Sequence, residues 1–239
     1  MKGSREGISV AFVFARGGSK GVPRKNVKDL NGQPLIAYSI KTALASPSID
    51  RVVVSTDDQE IANVAKAYGA EVPFMRPTEL AEDKSSEFEA WKHAVSAYQE
   101  QISDPISVFV SLPPTSPLRS VDDVEKCVET YITTDADMVV TVKNASRSPY
   151  FNMIKNDQHG HSTLVNLAPD GKRYVRRQDV PEVFDMTTVA YVSCPEFILG
   201  ADSIFSGVVR SVVVPDERAI DIDTMLDFEF AAFLANKEK

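Results

Sequence analysis

The feature that most limits what this chain can fold into is a steady alternation of short apolar runs, rich in β-branched residues, with longer amphipathic segments of helical period. Ile8–Phe14, Arg51–Ser55, Ile106–Leu112 and Asp137–Val142 read as buried strands, with Leu35–Ala45, Gln59–Tyr68, Glu87–Gln101 and Val121–Thr133 as helices among them. Strands buried on both faces and joined by helices predict an α/β fold with a mostly parallel central sheet flanked by helices. Right-handed crossovers gather the loops that follow the strands along one carboxyl edge, where open α/β sheets bind ligands.

The rhythm breaks between residues 146 and 185. Pro149, Asn156, Asp157, Gly160, Pro169, Asp170 and Gly171 punctuate short segments that read as hairpins rather than βα units. This predicts a small β-rich inserted arm, 146–185, within a core formed by 1–145 and 186–239. The core resumes with strands over Met186–Ser193 and Val208–Val214 and closes with a helix from Thr224 to about Lys237.

Composition narrows the function. A 239-residue chain with a formal net charge of −8 lacks the field that nucleic-acid phosphates require, so no nucleic-acid partner is expected and a polyanionic ligand must meet a local basic pocket. The run Ile8–Ala15 is too short to span a bilayer and lacks signal-peptide flanks, so no membrane association is expected. The two cysteines, Cys127 and Cys194, fall in separate regular segments, which argues for a reducing, cytoplasmic location.

A basic pocket is on offer directly after the first strand, in Ala15-Arg16-Gly17-Gly18-Ser19-Lys20-Gly21-Val22-Pro23-Arg24-Lys25-Asn26. Its three glycines let backbone N–H groups approach phosphate oxygens, and its four cations, Arg16, Lys20, Arg24 and Lys25, can balance a triphosphate. The spacing is neither that of a Walker loop nor Gly-x-Gly-x-x-Gly, which disfavours kinases and dehydrogenases. A merely solvated basic loop is the alternative; in so acidic a chain, phosphate binding is the better reading.

Ala15–Asn26, followed by Leu30-Asn31-Gly32-Gln33-Pro34-Leu35, resembles the opening motif of the acylneuraminate cytidylyltransferases, the CMP-sialic acid synthetases. The likeness continues in the family's order through Val54-Ser55-Thr56-Asp57-Asp58, Arg76-Pro77-Thr78-Glu79-Leu80, Pro114-Thr115-Ser116-Pro117-Leu118-Arg119, Arg176-Arg177-Gln178-Asp179 and Ile220-Asp221-Ile222-Asp223-Thr224. It implies a Rossmann-like core of the nucleotide-diphospho-sugar transferase type and transfer of CMP from CTP to the anomeric hydroxyl of an acidic sugar, with loss of pyrophosphate.

The resemblance also assigns residues. Arg16, Gly17, Gly18, Ser19, Lys20, Lys25 and Asn26 would hold the triphosphate, and Arg76 and Ser85 the cytidine. Asp221 and Asp223 would share a Mg²⁺ ion, with Mn²⁺ as a substitute: in an extended segment, alternation sends both carboxylates to one face and Ile222 to the other. Arg177 of the arm, beside Arg176, would steady charge on phosphates or on the sugar carboxylate, and the arm would pack across a homodimer. Arg16, Lys25, Arg177 and Asp223 are therefore the expected catalytic groups, Asp223 as a proton acceptor.

On the sugar side the resemblance points to Pro113, Thr115, Arg177, Thr187 and Tyr191, and there the sequence departs from the family pattern. Pro113 stands where a glutamine is usual, and Thr187 where an asparagine is usual, in Phe184-Asp185-Met186-Thr187. A pocket without its polar partners rejects the old ligand, so a 2-keto sugar acid other than sialic acid is expected. Competing readings are a nucleotide-sugar-dependent glycosyltransferase, which leaves the cationic loop unexplained, and a non-catalytic nucleotide- or sugar-binding relative. His159 and His161 read as loop residues rather than zinc ligands, and Trp91, Phe88 and Tyr98 as helix packing.

Overall fold

A computed structural model describes residues 6–82 and 84–237. Residues 1–5, Asp83 of the Glu79–Glu87 connection, and the core's last two residues, 238 and 239, lie outside the described residues. The chain divides into two compact units, Lys143–Met186 and the remainder.

The elements run β1 (Ile8–Phe14), β2 (Asp29–Leu30), β3 (Gln33–Pro34), α1 (Leu35–Ala45), β4 (Arg51–Ser55), α2 (Gln59–Ala67), α3 (Glu87–Gln99), β5 (Ile106–Ser111), α4 (Val121–Thr133), β6 (Met138–Asn144), β7 (Ile154–Asn156), β8 (Ser162–Leu164), β9 (Phe184–Ser193), α5 (Pro195–Gly200), β10 (Val209–Val213) and α6 (Met225–Lys237). Six strands form one sheet in the order β10-β6-β9-β5-β1-β4. The pairs β1/β4, β1/β5 and β6/β10 are parallel, while β9 runs antiparallel to β5. The sheet is mostly parallel, as the alternation of elements predicts.

Alternation along β1 explains why its sequence is apolar throughout. Ala11 and Val13 face a core shared with Ile36 and Ile40 of α1, Ile61 of α2 and Val128 and Tyr131 of α4. Val10 and Phe12 face a second core, with Trp91, Val95 and Tyr98 of α3 and Ile198 of α5. A central strand covered on both sides has no polar face to offer. The short α5, which the periodicity does not announce, begins on Pro195, a residue suited to a first helical position because its missing N–H would have no partner there.

Because β4 and β5 both run parallel to β1, the loops after Phe14, Ser55 and Ser111 leave the sheet at the same edge. A fourth segment, 214–224, is guided to that edge. Val214 N donates to Val142 O at 2.8 Å and Ile222 N to Thr115 O at 2.9 Å, and Ile222 is fully buried with Val22, Leu30, Leu35 and Phe228. Between these anchors Arg218 makes a two-pronged contact with Asp123, at 2.8 and 3.1 Å. Asp123 also completes the capping box of α4 with Ser120.

The unit Lys143–Met186 is less β-structured than the 146–185 arm expected from its turn residues. It holds one hairpin, β7/β8, three residues a side, with Lys155 opposite Thr163. Its turn is ordered by Asp157, whose carboxylate accepts from the N–H of His159 at 2.8 Å and of His161 at 3.0 Å, with Gly160 at φ 82°. Frequent Pro, Gly and Asx residues satisfy the backbone locally and leave the other segments as turns.

The Asp123–Arg218 contact should contribute measurably to stability. Burial pushes the Asp123 carboxyl up, but Arg218 and the Ser120 N–H and hydroxyl outweigh it, so the folded pKa lies below the ordinary carboxylate value. A depressed carboxylate stabilises above its unfolded pKa, about 3.9, and that stabilisation is lost as pH falls through the folded value. Urea unfolding of Asp123→Asn should therefore show a loss of about 1–3 kcal/mol at pH 7 that shrinks below about pH 4.

Candidate active site

The edge loops surround a cleft of about 360 Å³. Its wall includes Arg16, Gly18, Ser19, Lys25 and Asn26 from the loop after β1, Arg76, Ser85 and Glu87 from the stretch that leads into α3, Pro113 and Thr115 after β5, Thr188 of β9, and Asp221 and Asp223. Residues from the two ends of the core thus meet around one space.

Contact between those ends is tight. A Cβ on Gly21 would lie 1.9 Å from the Asp223 carbonyl oxygen, so only glycine lets the loop lie against the acidic segment. Lys25 donates from Nζ to the Ile222 carbonyl and stands 3.8 Å from Asp223 Oδ1. Burial lowers the Lys25 pKa, while Asp223 and Asp221 pull it back up in part. Two bonds fix the loop: within it Asn26 Nδ2 donates to Arg16 O at 2.9 Å, and Gly17 N donates to Oδ1 of Asp57, in the loop after β4, at 2.9 Å.

The two carboxylates have unequal surroundings. Asp223 is 77% exposed at its side chain, whereas Asp221 keeps a buried Oδ1 with no hydrogen-bond partner. An orphaned carboxylate oxygen is costly unless a cation or donor completes it. In its chemistry the pair fits a divalent ion, which Asp221 and Asp223 would hold. No cluster of three or more His, Cys, Asp or Glu able to hold a metal alone occurs among the described residues.

Arg76 is 7% exposed, with its Nε donating to Ser55 Oγ at 3.1 Å and its guanidinium 5.6 Å from the Phe14 ring centroid. Burial pulls it down to about 10, against Asp57 and Glu87, so it remains charged at neutral pH. Phe14 belongs to an aromatic floor in which Trp91 packs against Phe14, Phe109 and Tyr191 at 6.3, 5.3 and 5.3 Å.

Not every expected residue faces this space. Arg24, expected to balance phosphate charge, pairs with Asp58 and Glu60 at the start of α2, and those side-chain hydrogen bonds raise its pKa. Gly17 lies one step back from the wall, packed on Asp58, and Lys20 is exposed on the same loop outside the wall. Thr187, expected on the sugar side, is 5% exposed and turned into the sheet, where its hydroxyl donates to Thr141 Oγ1 at 2.8 Å. The cleft receives its neighbour Thr188, bonded to Ser116 Oγ at 2.7 Å, because alternate residues of a strand face opposite ways. Tyr191 is buried in the aromatic floor, not in the wall. Arg177 lies in the other unit, where it donates to Ser146 O at 3.2 Å.

Two residues with evident roles were given none by the sequence reading. Arg119 is 4% exposed and binds the carbonyls of Val189 at 2.7 Å, of Thr188 at 3.3 Å, and of Pro113, holding Pro113 and Thr188 to their places in the wall. Burial lowers it to about 9, with Asp123 and Asp221 opposing. The other is Glu87, the first residue of α3, which lines the cleft. The signal for Arg119 was its place in Ser-Pro-Leu-Arg; none distinguished Glu87.

A cationic glycine loop opposite a carboxylate pair, at the carboxyl edge of a mostly parallel sheet, defines a nucleotidyltransferase. Residues 10–195 match the model of the cytidylyltransferase family, and the chain belongs to that family. It is 36% identical over 227 residues to post-translational flagellin modification protein B of Campylobacter coli, covering 95% of this chain and 94% of the relative. To a CMP-N,N'-diacetyllegionaminic acid synthase of Campylobacter jejuni it is 35% identical over 222 residues, 93% and 92% of the two chains. A solved CMP:2-keto-3-deoxy-manno-octonic acid synthetase complexed with CTP shares its fold, with a TM-score of 0.70 over 97% of this chain and all 100% of that one, at 16% identity.

The Gly21 contact can be tested directly. Gly21→Ala should cost about 1–3 kcal/mol of stability through overpacking against backbone and lower activity at least ~10-fold, since a 1 Å misplacement can cost more. Gly18→Ala, where a Cβ meets nothing within 4 Å, should leave the unfolding midpoint unchanged.

Proposed function

We propose that this cytidylyltransferase transfers CMP from CTP to the anomeric hydroxyl of a nine-carbon 2-keto sugar acid of the legionaminic or pseudaminic kind. The observation that carries this reading is the meeting of Lys25 with Asp223, 3.8 Å apart, beside the unpartnered Asp221 oxygen. Cation and carboxylates together suit a metal-bound triphosphate. The sugar class is supported by the relative named for diacetyllegionaminic acid and by Pro113 in the wall, where a sialic acid synthetase would offer a glutamine amide.

In the reaction the sugar hydroxyl oxygen attacks the α-phosphorus of CTP, a P–O bond to it forms, and the bond to the β-phosphate oxygen breaks, releasing pyrophosphate. Arg16 and Lys25 hold the triphosphate and offset the charge that moves to the leaving group; Asn26 braces Arg16 by its bond to the Arg16 carbonyl. Asp223, exposed beside Lys25, takes the hydroxyl proton. Asp221 and Asp223 would hold Mg²⁺ or Mn²⁺, which when bound would supply charge neutralisation to the triphosphate.

We assign the Lys143–Met186 unit to pairing of two chains, on the strength of its exposed apolar residues Ile154 (64%) and Val175 (90%); sedimentation would show the homodimer. The thiols of Cys127 and Cys194 are both free, which suits a cytoplasmic enzyme.

The reading is tested by incubating the protein with CTP, Mg²⁺ and a panel of nonulosonic and shorter ulosonic acids while following pyrophosphate. Release that depends on a legionaminic- or pseudaminic-type acid, and is at least tenfold weaker with sialic acid, is the expected result. CTP binding without turnover for every acid would favour a non-catalytic relative. Asp221→Asn should lower turnover at least ~100-fold with an unfolding midpoint equal to or above that of the parent, because one of two neighbouring negative charges is gone.

A further inference from the structure

Glu87 opens α3 and faces the cleft, exposed to solvent there. Burial pushes its carboxyl up, Trp91 and Arg76 give partial relief, and Asp221 raises it further. The Trp91 Nε1–H, in a residue 2% exposed, comes close to this carboxylate but makes no hydrogen bond of ordinary geometry. Glu87 thus turns to the cleft a carboxylate that no protein donor fully engages.

Its position says which part of the ligand it meets. Arg76, set over the Phe14 ring, and Asp221 with Lys25 line the same cleft as Glu87. A nucleotide with its base toward Arg76 and its phosphates toward Lys25 and Asp221 presents its ribose to the stretch between. A carboxylate open to the cleft matches the hydroxyls of a vicinal diol, and carboxylates recognise ribose in this way in other nucleotide sites. A second anion so near a triphosphate is tolerable only where hydroxyl donors stabilise it, so the deoxy sugar leaves it unsatisfied.

We propose that Glu87 holds the ribose 2′ and 3′ hydroxyls of the bound nucleotide and makes this enzyme select ribonucleotides. The proposal rests on the CTP-binding reading of the cleft. Glu87 touches no reacting atom, so its effect belongs to nucleotide affinity and not to the chemical step.

Calorimetric titration with CTP, 2′-deoxy-CTP, 3′-deoxy-CTP and UTP in Mg²⁺ buffer, for the parent, Glu87→Gln and Glu87→Ala, tests it. The parent should bind CTP ~10–100-fold more tightly than either deoxy analogue. Glu87→Ala should lose that factor on CTP and little on the analogues, so that discrimination falls to about threefold or less, and Glu87→Gln should retain an intermediate preference. In turnover the loss should appear in KM for CTP, with kcat nearly kept.

Equal weakening of CTP and both deoxy analogues by Glu87→Ala, or a collapse of CTP over UTP selectivity with ribose selectivity intact, overturns the proposal. CTP binding with ribose discrimination, but no turnover for any sugar acid, sinks only the transfer reading. Normal cytidylyl transfer with ribose selectivity untouched in both variants sinks only the role of Glu87.

Discussion

The site depends on one closure: the loop after β1 lies against the segment that carries Asp221 and Asp223, glycine backbone to aspartate backbone, with Lys25 bridging. Neither part makes a site alone. Cations on a glycine loop bind anions indiscriminately, and two carboxylates two residues apart repel. Brought together they offset each other around one cleft that can take an anion. Much of the surrounding structure serves this closure: Ile222 is sunk into its own apolar cluster, its N–H is fixed to Thr115, and Arg218 is locked to the cap of α4.

A chain with net charge −8 manages to present positive charge by committing its cations to distinct tasks. Arg24, Arg119 and Arg218 are paired with acids or backbone carbonyls and act as braces. Arg16, Lys25 and Arg76 face the cleft. Burial weakens the charged form of Lys25 and Arg76, and nearby carboxylates sustain it. An incoming triphosphate would relieve the same burden, which is how a local basic site coexists with an acidic surface.

The strands and long helices were legible because their signal is periodic: β1, β4, α1 and α4 fall on the residues where β-branched runs and helical spacing place them. Local signals failed where tertiary partners decide. Arg24 looks like its neighbours until Asp58 and Glu60 arrive from another loop. Thr187 and Thr188 are chemically the same residue, and only the phase of β9 against Thr141 tells which one reaches the cleft. Glu87 sits in an amphipathic pattern that its helix shares with many surface acids, and its cleft is formed by residues far away in sequence. The turn-rich unit 143–186 resisted for the opposite reason: its backbone bonds are local and aperiodic, so turn residues announce an irregular unit without specifying its form.

The wall at Pro113 and Thr188 illustrates how such a fold can change what it accepts without losing its frame. Arg119 fixes the carbonyls of Pro113, Thr188 and Val189 from beneath, so the backbone of the wall is set by a buried guanidinium and not by the side chains that face the ligand. Side chains at Pro113 and Thr188 can then vary while the wall keeps its shape. The loop after β1 has no such freedom, since Gly21 meets backbone atoms and Lys25 is tied to a main-chain carbonyl. A rigid loop and a permissive wall around one cleft follow from which contacts are made by backbone and which by side chain.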